Sequence, residues 1–209
     1  MNLKKSKLKP NKVRKHRACI FICKLAFYFL IFLWYTFLMI LQVNKIFPLL
    51  DIQHGMTILD MGSSVGFWAR QAVDSVGPSG KVVAVDFHEN TIQRLNRDAA
   101  ELGRENLHGM TGDVLNLQNV HLKKGSFDRV LFIRMIPIIE HEMDRVISEL
   151  VEFTNSQGTL IIIDAMHYQK ELESFLNNHK DTLQYSFINE AAERSDNYFF
   201  GVQVSRTVQ

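Results

Sequence analysis

Cysteine is scarce in this chain of 209 residues, whose only two cysteines are Cys19 and Cys23, near the amino end. The absence of any later cysteine excludes a disulfide framework and a cysteine-based metal site from the rest of the chain. A mechanism with a nucleophilic cysteine is excluded there for the same reason. We therefore expect no metal centre in this protein.

The chain also lacks a basic surplus beyond its first 17 residues. Those residues carry eight of the 24 Lys and Arg residues and no acidic residue. The remainder, 18–209, keeps 16 basic residues against all 22 acidic ones, a net charge of −6. A net acidic fold matches a nucleic-acid backbone poorly, so we expect no nucleic-acid partner. The basic tail suits anionic lipid headgroups, although such tails are also often simply solvated.

Charge is absent from the run 25–41, which reads LAFYFLIFLWYTFLMIL. These 17 residues are just long enough to span a bilayer as a helix. A cleaved signal peptide is disfavoured, because no small-x-small site follows the run. A buried core helix is the other alternative, disfavoured because a small domain offers little to pack around a helix that is apolar on all sides. We predict a basic tail at 1–17, a membrane-anchor helix at 18–42 and a folded domain at 43–209.

Beyond Pro48, short apolar runs alternate with amphipathic stretches. Apolar runs without alternation indicate strands that are covered on both faces. Helical spacing marks the stretches between them, such as 89–102, which Gly103 is suited to end. Strands separated by helices predict a parallel sheet with right-handed crossovers. The strands predicted in this part of the chain are 57–61, 81–86, 106–111, 127–133 and 158–164, with helices at 65–76 and 89–102 and helical spacing from Met143 to Val151.

The last part of the chain follows a different pattern. Apolar residues alternate with others in two segments, Leu183–Phe187 and Phe200–Val204, which the polar stretch 189–197 connects. Alternation with period two is typical of strands, so we predict an antiparallel pair at a sheet edge. The predicted fold is therefore α/β: a doubly wound, mostly parallel seven-stranded sheet with an antiparallel C-terminal hairpin, preceded by the hydrophobic helix.

A glycine turn after the first strand carries the strongest functional signal, in the run ILDMGSSVG at 58–66. Gly62 and Gly66 allow the backbone to turn sharply and to approach a ligand closely. The helix that follows offers free amide donors at its start. Asp60 places a carboxylate beside the turn, where it suits a cationic amino group better than a phosphate. Taken alone, such a turn is as often purely structural.

Two further carboxylates end the next two strands. Asp86 ends the second strand, where a carboxylate can accept hydrogen bonds from both hydroxyls of a ribose. Asp113 follows the third and can accept one from an adenine amino group, while Phe87 and Val114 can sandwich the ring. The structural alternatives are a helix N-cap for Asp86 and a turn residue for Asp113. Their joint position at the carboxyl ends of successive strands favours a ligand site.

This ordered set of motifs, over residues 45–206, resembles class I S-adenosylmethionine-dependent methyltransferases, most closely the small-molecule and lipid or quinone type. The family's motif is an acid followed by Gly-x-Gly-x-Gly, and Ser64 stands where the middle glycine is expected. The resemblance implies methyl transfer with S-adenosylmethionine as the cofactor. The residues implied to bind it are Asp60, Gly62, Ser64, Gly66, Asp86, Phe87, Asp113 and Val114.

Acceptor-side candidates follow the fourth and fifth strands. Arg134 can hold a phosphate or carboxylate, and His167 can accept a proton near neutral pH. Either can equally be a surface residue without a role. The sulfonium methyl is already electrophilic, so the reaction asks mainly for positioning. The stretch 133–138, IRMIPI, lacks the Asn/Asp-Pro-Pro-aromatic motif of base-methylating relatives, so methylation of adenine or cytosine is not expected.

The sequence therefore predicts methyl transfer to a small or lipid-like acceptor at a membrane surface. In this prediction the membrane-anchor helix and its junction, 42–50, take the place of a substrate cap. Basic residues before the apolar run predict that the amino end is in the cytoplasm. A single membrane span would then place the folded domain on the opposite side of the membrane. We nevertheless expect a cytoplasmic domain, because the cofactor implied by the resemblance is cytosolic. The alternatives are a methyltransferase-like regulatory protein weakened by Ser64 and a NAD-dependent oxidoreductase, whose G-x-G-x-x-G spacing is missing.

Overall fold

The β-sheet organises the fold, and its strands occur in the predicted chain order. The computed structural model describes residues 45–194 and 198–207, all within the unit Val43–Gln209; the predicted tail 1–17 and anchor 18–42 lie outside the described residues. The strands are β1 (Thr57–Met61), β2 (Lys81–Asp86), β3 (Leu107–Thr111), β4 (Phe127–Ile133), β5 (Thr154–Ala165), β6 (Leu183–Phe187) and β7 (Phe199–Arg206).

The order of the strands across the sheet is β3-β2-β1-β4-β5-β7-β6. Strands β1 to β5 run parallel, and β7 runs antiparallel to both β5 and β6. This confirms the predicted doubly wound, mostly parallel sheet with an antiparallel C-terminal hairpin. Chain order reverses between β1 and β4, and ligands of such sheets bind beyond the carboxyl ends of the strands at that reversal.

The described residues contain six α-helices and four short 3₁₀ turns, at 47–50, 114–119, 140–142 and 166–168. None of these described helices is long and apolar enough to cross a bilayer. The α-helices are α1 (Phe67–Val76), α2 (Glu89–Glu101), α3 (Ile136–Ile139), α4 (Met143–Phe153), α5 (Gln169–Asn178) and α6 (Asn189–Arg194).

Two apolar layers cover the two faces of the sheet. Ile58 and Val82 belong to the layer that contains α1 and α2. Their chain neighbours Leu59 and Val83 belong to the layer that contains α4 and α5. Alternate residues of a strand point to opposite faces, so each strand must be apolar at successive positions. Burial on both faces is therefore the reason that these strands lack alternation in the sequence.

The fold differs from the prediction in several places, of which the start of β5 and the two helices on either side of β6 are the largest. β5 begins at Thr154, before the predicted start at 158, and its pairing with β4 is irregular there: Phe127 pairs with Thr154, then Arg129 with Thr159. The polar residues of this irregular stretch give no strand pattern. Helices α5 and α6 were not predicted, because α5 buries only three of its ten residues and α6 lies in the polar connection after β6.

Candidate functional site

The loop between β1 and α1 is folded against the carboxyl end of β2. The amides of Gly62 and Ser63 both donate to the carbonyl oxygen of Val85, at 2.8 and 2.9 Å, and the amide of Gly66 donates to that of Ser63 at 2.8 Å. Gly62, Ser64 and Gly66 have φ angles of 83°, 48° and 81°. Three left-handed residues in five explain the glycine pattern, because other residues adopt this conformation at a cost.

Close packing is the second reason why positions 62 and 66 are occupied by glycine. A Cβ atom on Gly62 would overlap the sulfur of Met135, so the segment after β4 covers this part of the loop. A Cβ atom on Gly66 would lie 2.6 Å from a methyl group of Leu95 in α2. The loop is thus enclosed by the segment after β4 on one side and by α2 on the other.

Asp60 is a buried carboxylate beside this loop, with 1% of its surface exposed. Its Oδ2 accepts a hydrogen bond of 3.1 Å from the amide of Ala69, in the first turn of α1. Burial raises the pKa of Asp60 to about 7; the Ala69 hydrogen bond opposes the shift, and the neighbouring charge of Asp86 adds to it. A cationic ligand group beside Asp60 would offset the cost of burying its charge. This is the kind of group that we expect at Asp60 from the sequence.

Asp86 holds the same loop from the end of β2. Its Oδ2 accepts a hydrogen bond of 2.8 Å from the amide of Ser64, and its Oδ1 accepts one of 2.9 Å from the amide of His88. The Nδ1 atom of His88 lies 3.2 Å from Oδ1. The first residue of α2 is Glu89, so these bonds support the loop and the strand end and do not cap the helix. The ribose contact stays a prediction.

The predicted adenine-side residues occupy different environments. Asp113 is exposed, and its side chain accepts a hydrogen bond of 2.9 Å from the amide of Leu115, as a turn residue does. Phe87 is 65% exposed, and its ring lies 3.6 Å from that of His88 between centroids. Val114 is 6% exposed and packs in the core beneath. Phe87 is thus the exposed aromatic side chain among these residues, and its stacking on an adenine stays a prediction.

The acceptor-side candidates both act electrostatically on Asp164, a residue that the sequence analysis did not select. Its carboxylate accepts hydrogen bonds from the amides of Ile136 at 2.9 Å and Ala165 at 2.8 Å. Burial raises the pKa of Asp164, and these hydrogen bonds oppose the shift. The nearby charges of Arg134 and His167 also lower it. The structure therefore brings both predicted acceptor-side residues near one buried carboxylate.

Asp164 could have been found by the rule that singled out the other carboxylates. It lies at the carboxyl end of β5, as Asp60 and Asp86 lie at the ends of their strands. Its hydrogen bond to Ile136 ties the segment after β4 to β5, and Met135 of that segment covers Gly62. The loops that follow β1 and β4 are thereby connected to each other and to the carboxyl end of β5. Among the described residues, no group of three or more His, Cys, Asp or Glu side chains could hold a metal ion.

Ser64→Gly should leave cofactor affinity unchanged or improve it, and should raise the melting temperature. Glycine removes the strain of a left-handed serine, about 1 kcal/mol, and keeps the amide that donates to Asp86. Thermal melting and calorimetric titration with S-adenosylmethionine measure the two effects. Ser64→Ala is the matched control, because it removes the hydroxyl and keeps the strain. A large loss of affinity in both variants would show that the hydroxyl itself has a role.

Comparison with known proteins agrees with this geometry. The demethylmenaquinone methyltransferase of Lactococcus lactis is 29% identical over 132 residues, 59% of this chain and 50% of that protein. Ribosomal RNA large subunit methyltransferase E of Nitrosomonas eutropha is 56% identical over only 33 residues, 16% of each chain. The chain thus spans about half the length of the first of these relatives.

Solved structures share the fold. A SAM-dependent methyltransferase from Aquifex aeolicus superposes with a TM-score of 0.63 and 20% identity, over 77% of this chain and 87% of that one. Residues 52–199, well over half of the chain, match the family model described as a methyltransferase domain. The chain therefore belongs to the methyltransferase domain family, of the class I type that its motifs resemble, and this membership implies S-adenosylmethionine as the cofactor.

Proposed function

We propose that this protein transfers the methyl group of S-adenosylmethionine to a small or lipid-like acceptor at a membrane surface. The observation that carries the proposal is Asp60, a buried carboxylate with a pKa of about 7 beside a left-handed glycine loop. A buried carboxylate is costly to ionise without a cation, and the cofactor carries a cationic amino group. A pyrophosphate cofactor such as NAD would be repelled by the same carboxylate.

The residues around the loop fit the cofactor in other respects. The side-chain oxygen of Ser63 is buried and, in the part of the chain that the structure describes, has no hydrogen-bond partner. Such an orphaned polar atom suits a site that receives a polar ligand. Asp60 would hold the amino group, Asp86 the ribose and Phe87 the adenine. Bound S-adenosylmethionine supplies an electrophilic methyl group, and the protein has to hold the acceptor in line with it.

On the acceptor side, the grouping of Arg134 and His167 near Asp164 favours an acceptor with an ionisable hydroxyl. His167 can take the proton, and Arg134 can stabilise the oxygen anion that remains. Asp164 would favour the protonated form of His167 after the transfer, and its bond to Ile136 holds the segment that carries Arg134. A quinol has such hydroxyls, and the relatives named as demethylmenaquinone methyltransferases support this choice.

The first test is calorimetric titration of the full chain in mild detergent with S-adenosylmethionine, its demethylated product and NAD. We expect the first two to bind and NAD not to bind. Binding of NAD alone would contradict the proposal, and binding of none would favour the regulatory alternative. Transfer of radiolabelled methyl groups to a short-tailed demethylated naphthoquinol then tests the acceptor class, with Arg134→Gln and His167→Asn expected to lower turnover.

The membrane location rests on the apolar run 25–41 and makes its own prediction. The full chain should sediment with membranes and should resist a high-salt wash, because salt screens headgroup contacts of the tail 1–17 and does not release a buried apolar helix. Deletion of 1–17 should leave the protein in the pellet, whereas deletion of 1–42 should release it. A full chain that stays in the supernatant without detergent would contradict the anchor and a domain at the cytoplasmic membrane surface.

A further inference from the structure

Large apolar side chains are exposed at a small number of places on the domain. Among the described residues, six large apolar side chains are at least about a third exposed. A single exposed apolar residue on a protein surface needs no explanation. The distribution of these six between the two edges of the sheet is informative. The six are Val65, Phe87, Leu102, Leu115, Ile138 and Tyr198.

Five of these side chains lie at the carboxyl edge of the parallel strands. Val65 follows β1, Phe87 follows β2, Leu115 follows β3 and Ile138 follows β4. Tyr198 directly precedes β7, whose first residue pairs with the last residue of β5. The sixth, Leu102, follows the end of α2 at the opposite edge of the sheet. We call the five residues at the carboxyl edge the carboxyl-edge rim.

Several of the segments at this edge are linked to one another. Met135 packs on Gly62, so the loop after β4 contacts the loop after β1. The amide of Ile136 donates to Asp164 at the end of β5. The amide of Met166 donates to the carbonyl oxygen of Tyr198 at 3.1 Å. Neighbouring strands lie ~4.8 Å apart, so the rim spans roughly 24 Å across the sheet, from the loop after β3 to the start of β7.

The described chain also enters the domain at this edge. The ring of Phe47 stacks on that of Trp68, with centroids 6.4 Å apart and planes at 15°. Trp68 is the second residue of α1, directly after the glycine loop. The uncharged run 25–41 ends six residues before Phe47 in the sequence. A bilayer that holds this run is therefore the partner that the sequence itself offers for an apolar surface of the domain.

We propose that the part of the carboxyl-edge rim formed by Val65, Ile138 and Tyr198 is the surface through which this domain contacts a lipid bilayer, with these three side chains inserted at the headgroup level. This inference rests on the proposed function and adds to it the face of the domain that meets the membrane. Tyrosine is suited to this level because its ring is apolar and its hydroxyl is polar. An acceptor dissolved in the bilayer then reaches Arg134 and His167 without crossing water.

The test uses single labelled cysteines in the full chain, with Cys19 and Cys23 replaced by serine. Ile138→Cys, Tyr198→Cys and Leu102→Cys each carry an environment-sensitive fluorophore. Leu102 is the matched control, since its 62% exposure lies between the 55% of Ile138 and the 68% of Tyr198. Each protein is reconstituted in vesicles of phosphatidylcholine and phosphatidylglycerol in equal amounts, with or without nitroxide-labelled lipid.

We expect nitroxide lipid to quench the labels at 138 and 198 more than about twofold, because interfacial groups lie within reach of the headgroup and acyl boundary. The label at 102 should not be quenched. Equal quenching at all three positions, quenching only at 102, or none anywhere would overturn the inference. Titration of the same samples with S-adenosylmethionine separates the two proposals: intact binding with an unquenched rim overturns only the membrane face, whereas lost binding counts against the proposed function.

Discussion

Asp60→Asn should weaken the binding of S-adenosylmethionine about 10- to 100-fold at pH 8, the range expected for losing a hydrogen-bonded charge partner. Asparagine keeps an oxygen that can accept from the amide of Ala69, so the start of α1 stays supported. The charge that we propose pairs with the cationic amino group is lost. Calorimetric titration gives the affinity directly, and an unchanged affinity would rule out Asp60 as the partner of the amino group.

The pH dependence of binding is the sharper part of this prediction. With a pKa of about 7 in the free protein, Asp60 is protonated at lower pH and must lose that proton before it can pair with a cation. Wild-type affinity should therefore fall as the pH drops from about 8 to 6, whereas the Asp60→Asn curve should be much flatter. Asp181→Asn, which removes an exposed carboxylate, should keep the wild-type pH dependence.

The raised pKa of Asp60 should also affect the stability of the free protein, but with the opposite dependence on pH. The folded-state pKa of Asp60 is raised from 3.8 to about 7, so its contribution to stability is fully present below 3.8 and is lost as the pH rises through 7. Asp60→Asn should consequently gain stability relative to the wild type as the pH rises from about 5 to 8. Denaturant unfolding at several pH values measures this gain, and a constant difference would contradict the raised pKa.

Asp86→Ala should lower cofactor affinity by about 1.5–3 kcal/mol and should also destabilise the free protein. From its position at a strand end, we expect the variant to stay folded, because such a carboxylate is not part of the core. The residue is 7% exposed, however, and its carboxylate accepts from the amides of Ser64 and His88. Removing it leaves both amides without their partner, and a loss of about 1 kcal/mol lowers the melting temperature by a few degrees.

Asp86→Asn separates the two effects. The amide side chain keeps an oxygen for the Ser64 amide and has the same size as the carboxylate, so the loop should stay closer to its native position. Thermal melting should show a smaller loss for Asp86→Asn than for Asp86→Ala, while both variants lose affinity in titrations. A folded Asp86→Ala protein with wild-type affinity would refute the ribose assignment.

Local pattern was sufficient for the central strands and for the position of the cofactor-side carboxylates. The bounds of β1, β2 and β4 match the predicted ranges, because strands covered on both faces form apolar runs with abrupt polar ends. The sharp turn after β1 was predictable from its glycines. Asp164 was not selected, because the end of β5 was read only as an apolar strand, and α5 was not predicted, because few of its residues are buried.

The sequence by itself determined the strands, the glycine turn, the carboxylates at strand ends, the acidic balance of residues 18–209 and the uncharged run 25–41. These are properties of neighbouring residues, which periodicity and composition record. Only the tertiary structure decided that Asp60 is buried enough for a pKa of about 7, that Asp86 holds Ser64 and that Asp164 holds Ile136. Each of these depends on which strands become neighbours in the sheet, and contacts between residues 9 to 28 positions apart form only when the core has packed.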